Sequence, residues 1–458
     1  MKLTTFSALR HEIRVMLQLF WPVWLAQLLT AVAGFVDTLM AGHAGVDDLA
    51  GVAVGSALWL TLLIIPMGLF MAINPIVGQY AGAGQYAAIR GFMHQAFRVA
   101  AVLSLVFWLI FICNKFYLQW ILQDPAVLQV TSGYLQGFAW GVPALIMNFV
   151  LRPYSEGLSF TRPYLLASIV SLLVNIPANA ILIFGMGSWP GMGGAGAGWA
   201  TALAMWSGLL VMLAYTRYHR HYQQNNLYKQ FSAFDIKEYR HLLQVGIPIA
   251  FTLFVEVSIF SLIALFLGGR PSSEIAAHQI AMNVSYLAFT LPLSLAFVAT
   301  IRVSNHVGAD CFEKARLASL AAILLAIGAA LMNMTILLLA ADEIAAFYTD
   351  DLLVQKLAAG LMLFAVMFQL ADAFVVPTQG ALRGYKDTRW PLFFAVLAYW
   401  LIALPLGYSL GLTDWLMPMM GATGFWISLV AGLTVSAVLM TARLFMLFKL
   451  KQPAVRLR

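Results

Sequence analysis

Hydrophobic residues run along this chain in stretches of about twenty or more, the length that carries a helix across a bilayer. Short segments holding most of the charge separate them. The pattern predicts spans near residues 15–41, 50–78, 92–113, 127–151, 163–185 and 195–216, then 242–267, 276–301, 317–340, 356–382, 391–410 and 423–447. Several exceed the roughly 20 residues a bilayer needs, so tilted or protruding helices are expected. The first stretch is too long for a cleavable signal, and Asp37 stands where small residues would mark a cleavage site.

Composition agrees with an all-α polytopic membrane protein. Of 458 residues, 62% are hydrophobic and 10% charged, against about 25% charged in soluble proteins. Twelve spans leave no room for a large domain outside the membrane. The formal charge of +7 does not point to nucleic acid, because its distribution follows membrane faces. All but three of the 26 lysines and arginines, among them Arg217, Lys229, Arg383, Lys451, Arg456 and Arg458, fall on one side; Lys115, Arg270 and Lys356 fall on the other. Cytoplasmic loops carry such an excess, so both termini are expected in the cytoplasm. Cys113 and Cys311 fall on opposite faces and offer neither a disulfide nor a metal-ligand spacing.

Sliding the chain against itself reveals an internal repeat. Pro22 and Pro248, Gly42 and Gly268, Pro66 and Pro292, Gly82 and Gly308, and Arg90 and Arg316 each lie 226 positions apart. The offset becomes 227 at Thr161–Arg162 and Thr388–Arg389, then 228 at Pro177, Gly193 and Gly196 against Pro405, Gly421 and Gly424. Helix breakers and loop residues recur in order. Two pseudo-symmetric six-helix lobes, residues 1–216 and 242–458, joined by a basic solvated linker at 217–241, are therefore expected, with the lobes in parallel orientation.

Asp37, Glu256 and Asp372 stand out as acids well inside predicted spans, with no lysine or arginine at matching depth. A carboxylate there costs at least about 2.5 to 3.5 kcal/mol on insertion scales, so each calls for a cavity, a partner or an ion. In the first lobe, Asn175 and Asn179 lie one turn apart around Pro177, and form a candidate polar cluster with Asp37. In the second, Glu256 and Asp372 both fall near the midplane and would share a proton or a cation such as Na+. The repeat places Thr30 opposite Glu256 and Ile263 opposite Asp37, so the scaffold is duplicated and the ionisable chemistry is not. His278, Gln279 and Asn283 are accessory polar candidates near the start of the eighth span, with a helix-end hydrogen bond the simpler role for His278. The 31 phenylalanines, 21 methionines and 13 tryptophans would suit planar lipophilic cations, although most must pack helices or face lipid.

The stretches GFVDTLMAGHAG around Asp37, NIPANAILIFG from Asn175, GAGAGWAT from Gly194, GIPIAFTLFVE ending at Glu256, AAHQIAMN from Ala276 and ALRGYKD from Ala381 resemble, in this order, the MATE family of multidrug and toxic compound extrusion transporters, in its NorM-like branch. The resemblance spans both lobes. It implies twelve helices in two lobes that alternate between outward and inward openings, and export of cationic or aromatic drugs in exchange for sodium ions or protons. It assigns ion coupling to Asp37 with Asn175, Asn179 and Thr201 in the first lobe, and to Glu256 and Asp372 in the second. Some NorM-like members carry a tyrosine where this chain has Phe368, which puts strict sodium dependence in doubt because a hard oxygen ligand is missing. No cofactor beyond the coupling ion is implied, and a monomer is expected.

The rival reading is a lipid-linked precursor flippase of the same architecture, which predicts buried lysine or arginine for an anionic headgroup. A channel would not need two lobes and shows no selectivity-filter repeat. An enzyme is disfavoured because no nucleophile, base or metal-ligand set stands at a recognisable spacing.

Overall fold

The computed structural model describes residues 2–188, 190–228, 232–415 and 417–449. Lys229, Lys451, Arg456 and Arg458 of the charge reading lie outside the described residues. The elements are α1 (Lys2–Ala44), α2 (Val46–Gly82, interrupted at Ala72), α3 (Tyr86–Ile112), α4 (Asn114–Ile121), α5 (Pro125–Ala139), α6 (Val142–Gly157), α7 (Arg162–Phe184), α8 (Gly194–Tyr218), α9 (Ile236–Leu267), α10 (Ser272–Gly308), α11 (Phe312–Tyr348), α12 (Leu352–Gly384), α13 (Arg389–Leu412) and α14 (Ala422–Lys449). Among the described residues there is no β-strand. Among the described residues eleven helices are long and apolar enough to cross a membrane, and α5 with α6, bent by 51° at their junction, counts as a twelfth when the pair is taken as one span. Helix is what hydrocarbon demands, since only a helix or a closed barrel satisfies every backbone N–H and C=O there.

The repeat is visible in the fold. α2 and α10 begin and end 226 residues apart, α7 and α13 begin 227 apart, and α8 and α14 begin 228 apart. Asp124 caps α5 by accepting from the backbone N–H of Ala126 at 2.8 Å, and Asp351 caps α12 by accepting from that of Leu353 at 2.8 Å. Ser159 and Lys386 both adopt the left-handed conformation, with φ of 58° and 60°. The two halves also differ. α5 and α6 break at Trp140–Gly141 where α12 runs on, and α3 and α4 break at Cys113 where α11 continues through the non-helical Ala340.

The chain forms two compact units, Trp21–Gly246 and Met1–Phe20 with Ile247–Arg458. This grouping differs from the sequence division at both ends: the first twenty residues go with the second half, and residues 217–246 go with the first. Specific bonds account for it. Glu12 on α1 accepts from Arg302 Nε and Nη2 on α10 at 2.6 and 2.9 Å, with His306 Nε2 at 3.4 Å. Glu238 on α9 accepts from the Tyr80 hydroxyl on α2 at 2.8 Å. Glu12 and Glu238, and likewise Tyr80 and His306, stand 226 apart, so the attachment was duplicated with the scaffold. Each unit boundary falls next to the proline, Pro22 or Pro248, whose missing N–H removes one helical hydrogen bond.

The linker is not a free solvated loop. Arg220–Asn225 forms a 3₁₀ turn, and Tyr222, Asn225 and Leu227 are buried. Tyr222 and Ser155 hydroxyls pair at 2.7 Å, Asn225 Nδ2 donates to the Tyr154 hydroxyl at 2.7 Å, and Arg98 Nη2 donates to the Ser232 carbonyl at 2.5 Å. His94 Nδ1 accepts from the Ser232 backbone N–H at 2.9 Å, which leaves Nε2 to donate to the Leu227 carbonyl at 2.8 Å. Burial pushes the Tyr222 phenol above its ordinary pKa.

Candidate functional site

In the unit Trp21–Gly246, α1 presents Asp37 to α7 and α8. The carboxylate is 8% exposed. Its Oδ1 accepts from Asn175 Nδ2 at 3.0 Å and Asn179 Nδ2 at 2.6 Å, and its Oδ2 faces the Thr201 hydroxyl at 2.9 Å. The two asparagines reach one oxygen because they stand one turn apart on α7, around Pro177. α8 lies close enough to deliver Thr201 because Gly198, one turn earlier, packs against the Tyr134 backbone carbonyl, where any Cβ would collide. Thr201 also contacts the Ala197 carbonyl at 2.8 Å, so a single hydroxyl proton serves two acceptors. Every hydrogen bond to Asp37 among the described residues thus comes from a neutral group. The amide oxygens of Asn175 and Asn179 are buried with no hydrogen-bond partner.

In the other unit, Glu256 Oε1 on α9 accepts from Gln379 Nε2 on α12 at 2.7 Å, and Gln379 Oε1 accepts from Arg383 Nη2 at 2.6 Å. Asp372, two turns before Gln379 on α12, is 3% exposed, and its Oδ2 has no hydrogen-bond partner. Asp372 and Gln379, seven residues apart, stand on the same face of α12, so Asp372 shares that face with the amide that holds Glu256; Tyr399 is 5% exposed. Tyr399 belongs to Val396–Ala403, a π-helical stretch of α13, a local distortion frequent at functional sites.

A basic residue nevertheless reaches the Glu256 side of this cluster from the end of α12. Arg383 is 5% exposed and is linked to Glu256 through the Gln379 amide. It looked like a loop residue because it stands beside Lys386 and Arg389, yet it lies in the last turn of α12. Two further acids are buried inside helices that extend past the predicted spans. One is Glu12, already described. The other is Glu156, 1% exposed, which accepts from Arg152 Nε at 2.8 Å and Asn74 Nδ2 at 3.1 Å. Both are matched to arginines, whereas Asp37 has amides and a hydroxyl.

The remaining candidates scatter. Phe368 is buried one turn before Asp372, with its ring 6.4 Å from that of Phe260. His278 Nδ1 accepts from Trp426 Nε1 at 3.2 Å, an interhelical bond and not a helix-end one. Gln279 and Asn283 are exposed and make no hydrogen bond to either acidic cluster.

The MatE family model matches residues 22–181 and again 248–409, two matches that begin 226 apart and end 228 apart. The chain belongs to the MatE family. MatE relatives match over nearly the whole length. The chain is 39% identical to the probable multidrug resistance protein NorM of Shewanella oneidensis over 97% of its own length and 96% of the relative's. It is also 39% identical to the multidrug resistance protein PmpM of Pseudomonas aeruginosa, over 95% and 92%. Among solved structures, a eukaryotic MATE transporter superposes with a TM-score of 0.84 at 21% identity, covering 97% of this chain and 98% of that one. The twelve-span, two-lobe MATE fold is thereby established, in a family of transporters and not of enzymes.

Proposed function

We propose that this chain is a secondary multidrug exporter of the bacterial inner membrane, with both termini cytoplasmic, that expels cationic and aromatic compounds in exchange for H+ or Na+. The observation that carries the reading is the unequal treatment of buried acids. Glu12 and Glu156 have arginine partners, while Asp37 is held by neutral donors and Asp372 leaves an oxygen unpaired. A buried carboxylate without a counter-charge is stable only with a proton or a cation. Asp372 with Glu256 offers Na+ hard oxygens, and Phe368 supplies none.

An ion that binds one conformation better than the other shifts the population toward it, and only that difference does work. Entry of the outside ion at Asp372–Glu256 or Asp37 would favour the state that has released its drug outward. The NorM and PmpM names support the same direction of transport. Reconstitution in liposomes, with proton and sodium gradients imposed separately, tests the reading. Ethidium export should follow at least one gradient, and Asp372→Asn should remove that dependence. Movement under neither gradient refutes antiport.

The flippase reading gains a buried arginine in Arg383, but that guanidinium is engaged with Gln379, which in turn holds Glu256. The MatE match favours drug export.

A further inference from the structure

Arg383, Gln379 and Glu256 form a chain in which each link fixes the next. The Gln379 amide gives its oxygen to the guanidinium at 2.6 Å and its NH₂ to the carboxylate at 2.7 Å. The flipped amide would set NH₂ against guanidinium and oxygen against carboxylate, two repulsions, so physics leaves one orientation. Arginine does not deprotonate in proteins. Two carboxylates and one permanent guanidinium therefore share this site, leaving one surplus negative charge.

The repeat shows that this arrangement is not inherited from an ordinary ion pair. At an offset of 227, Gln379 and Arg383 stand where the first half has Arg152 and Glu156. There, Arg152 neutralises Glu156 on its own helix at 2.8 Å. In the second half, the arginine stands one turn later, glutamine occupies its former place, and no acid remains on that turn. Its charge serves α9 instead.

We infer that Arg383 is a positioning residue that limits the second-lobe site to one exchangeable monovalent cation per cycle. Acting through Gln379, it is the permanent counter-charge of Glu256, so that the cycling proton or sodium ion neutralises the Asp372 charge. Arg383 itself does not touch the ion. The inference rests on the ion-coupling reading above.

The test counts cations on purified full-length protein in detergent, in an Asp37→Asn background, as 22Na+ bound plus protons taken up. A Glu256→Gln/Asp372→Asn variant serves as blank. The parent should hold one cation. Arg383→Gln should hold two, as should Gln379→Glu, which occupies the guanidinium locally and remains informative if the first variant does not fold. Arg383→Lys should return the count to one. One cation in the parent and one in both charge variants overturns the inference while leaving ion coupling intact, and two in the parent does the same. None in the parent overturns the ion reading and the inference with it.

Discussion

The bond from Arg302 to Glu12 should behave as a buried pair and not as a surface one. Its side chains are 17% and 7% exposed, with two hydrogen bonds at 2.6 and 2.9 Å. Removing one member of a buried pair leaves an uncompensated charge, at a cost of about 3 to 5 kcal/mol. The residual exposure of Arg302 favours the lower end, about 3 kcal/mol, or roughly a hundredfold in the unfolding equilibrium. Replacing both members by neutral residues of similar shape removes the stranded charge and should cost about 1 kcal/mol or less. Glu12→Gln, Arg302→Met and the double variant, unfolded reversibly in mixed micelles at one pH, should thus give two single losses of about 3 kcal/mol each, most of which the double variant recovers. A coupling below about 0.5 kcal/mol would mean that the two residues act independently, and the anchoring role would be refuted.

Other consequences are equally direct. Thr201→Val removes the donor to Asp37 Oδ2 and spares both asparagines; a hydrogen bond to a charged group is worth about 1.5 to 3 kcal/mol, so the half-saturating concentration of coupling ion in liposome efflux should change roughly tenfold or more, with Thr201→Ser restoring it. Phe368→Tyr, which adds a phenolic oxygen one turn from Asp372, should lower the half-saturating sodium concentration, and no change would separate that ring from the ion path. The Tyr222 phenol has a folded pKa above its unfolded value of about 10. Its contribution is therefore complete below about pH 10 and declines as pH rises beyond it, when the unfolded linker ionises first. Limited proteolysis between residues 219 and 235 should accelerate above that pH in the native protein, with a smaller step in Tyr222→Phe, where the Tyr228 phenol of the same linker, also raised by burial, remains.

Much of the architecture is legible in the chain because a membrane penalises helix breakers and charges unless they are used. Prolines, loop glycines and loop arginines therefore recur at fixed spacing, and the same offset reappears in helix ends, caps and left-handed turns. Asp37, Asn175 and Asn179 can be read together because depth and helical spacing bring them to similar heights, whereas Thr201 is named only by the family resemblance. Arg383 escapes such reading, since a charge count assigns every basic residue near a span end to the loop. Glu156 escapes because the second segment of the bent pair, Val142–Gly157, carries it beyond the predicted span end. Gln379 is uncharged, and only the fold shows which carboxylate it faces. The unit boundaries are invisible for a different reason: nothing in hydropathy tells which bundle a helix end will join.

That last feature bears on how the molecule is made. Arg302 follows Glu12 by 290 residues, so the ribosome delivers the start of α1 long before its counter-charge exists. The first half must enter the membrane with that acid unpaired, whereas Tyr80 is already in place when Glu238 emerges. Completion of α10 would then supply the partner of Glu12. A chain severed in the linker, between residues 219 and 235, would give two pieces that each hold the helix-opening turns belonging to the other's unit, and only co-expression would restore both units.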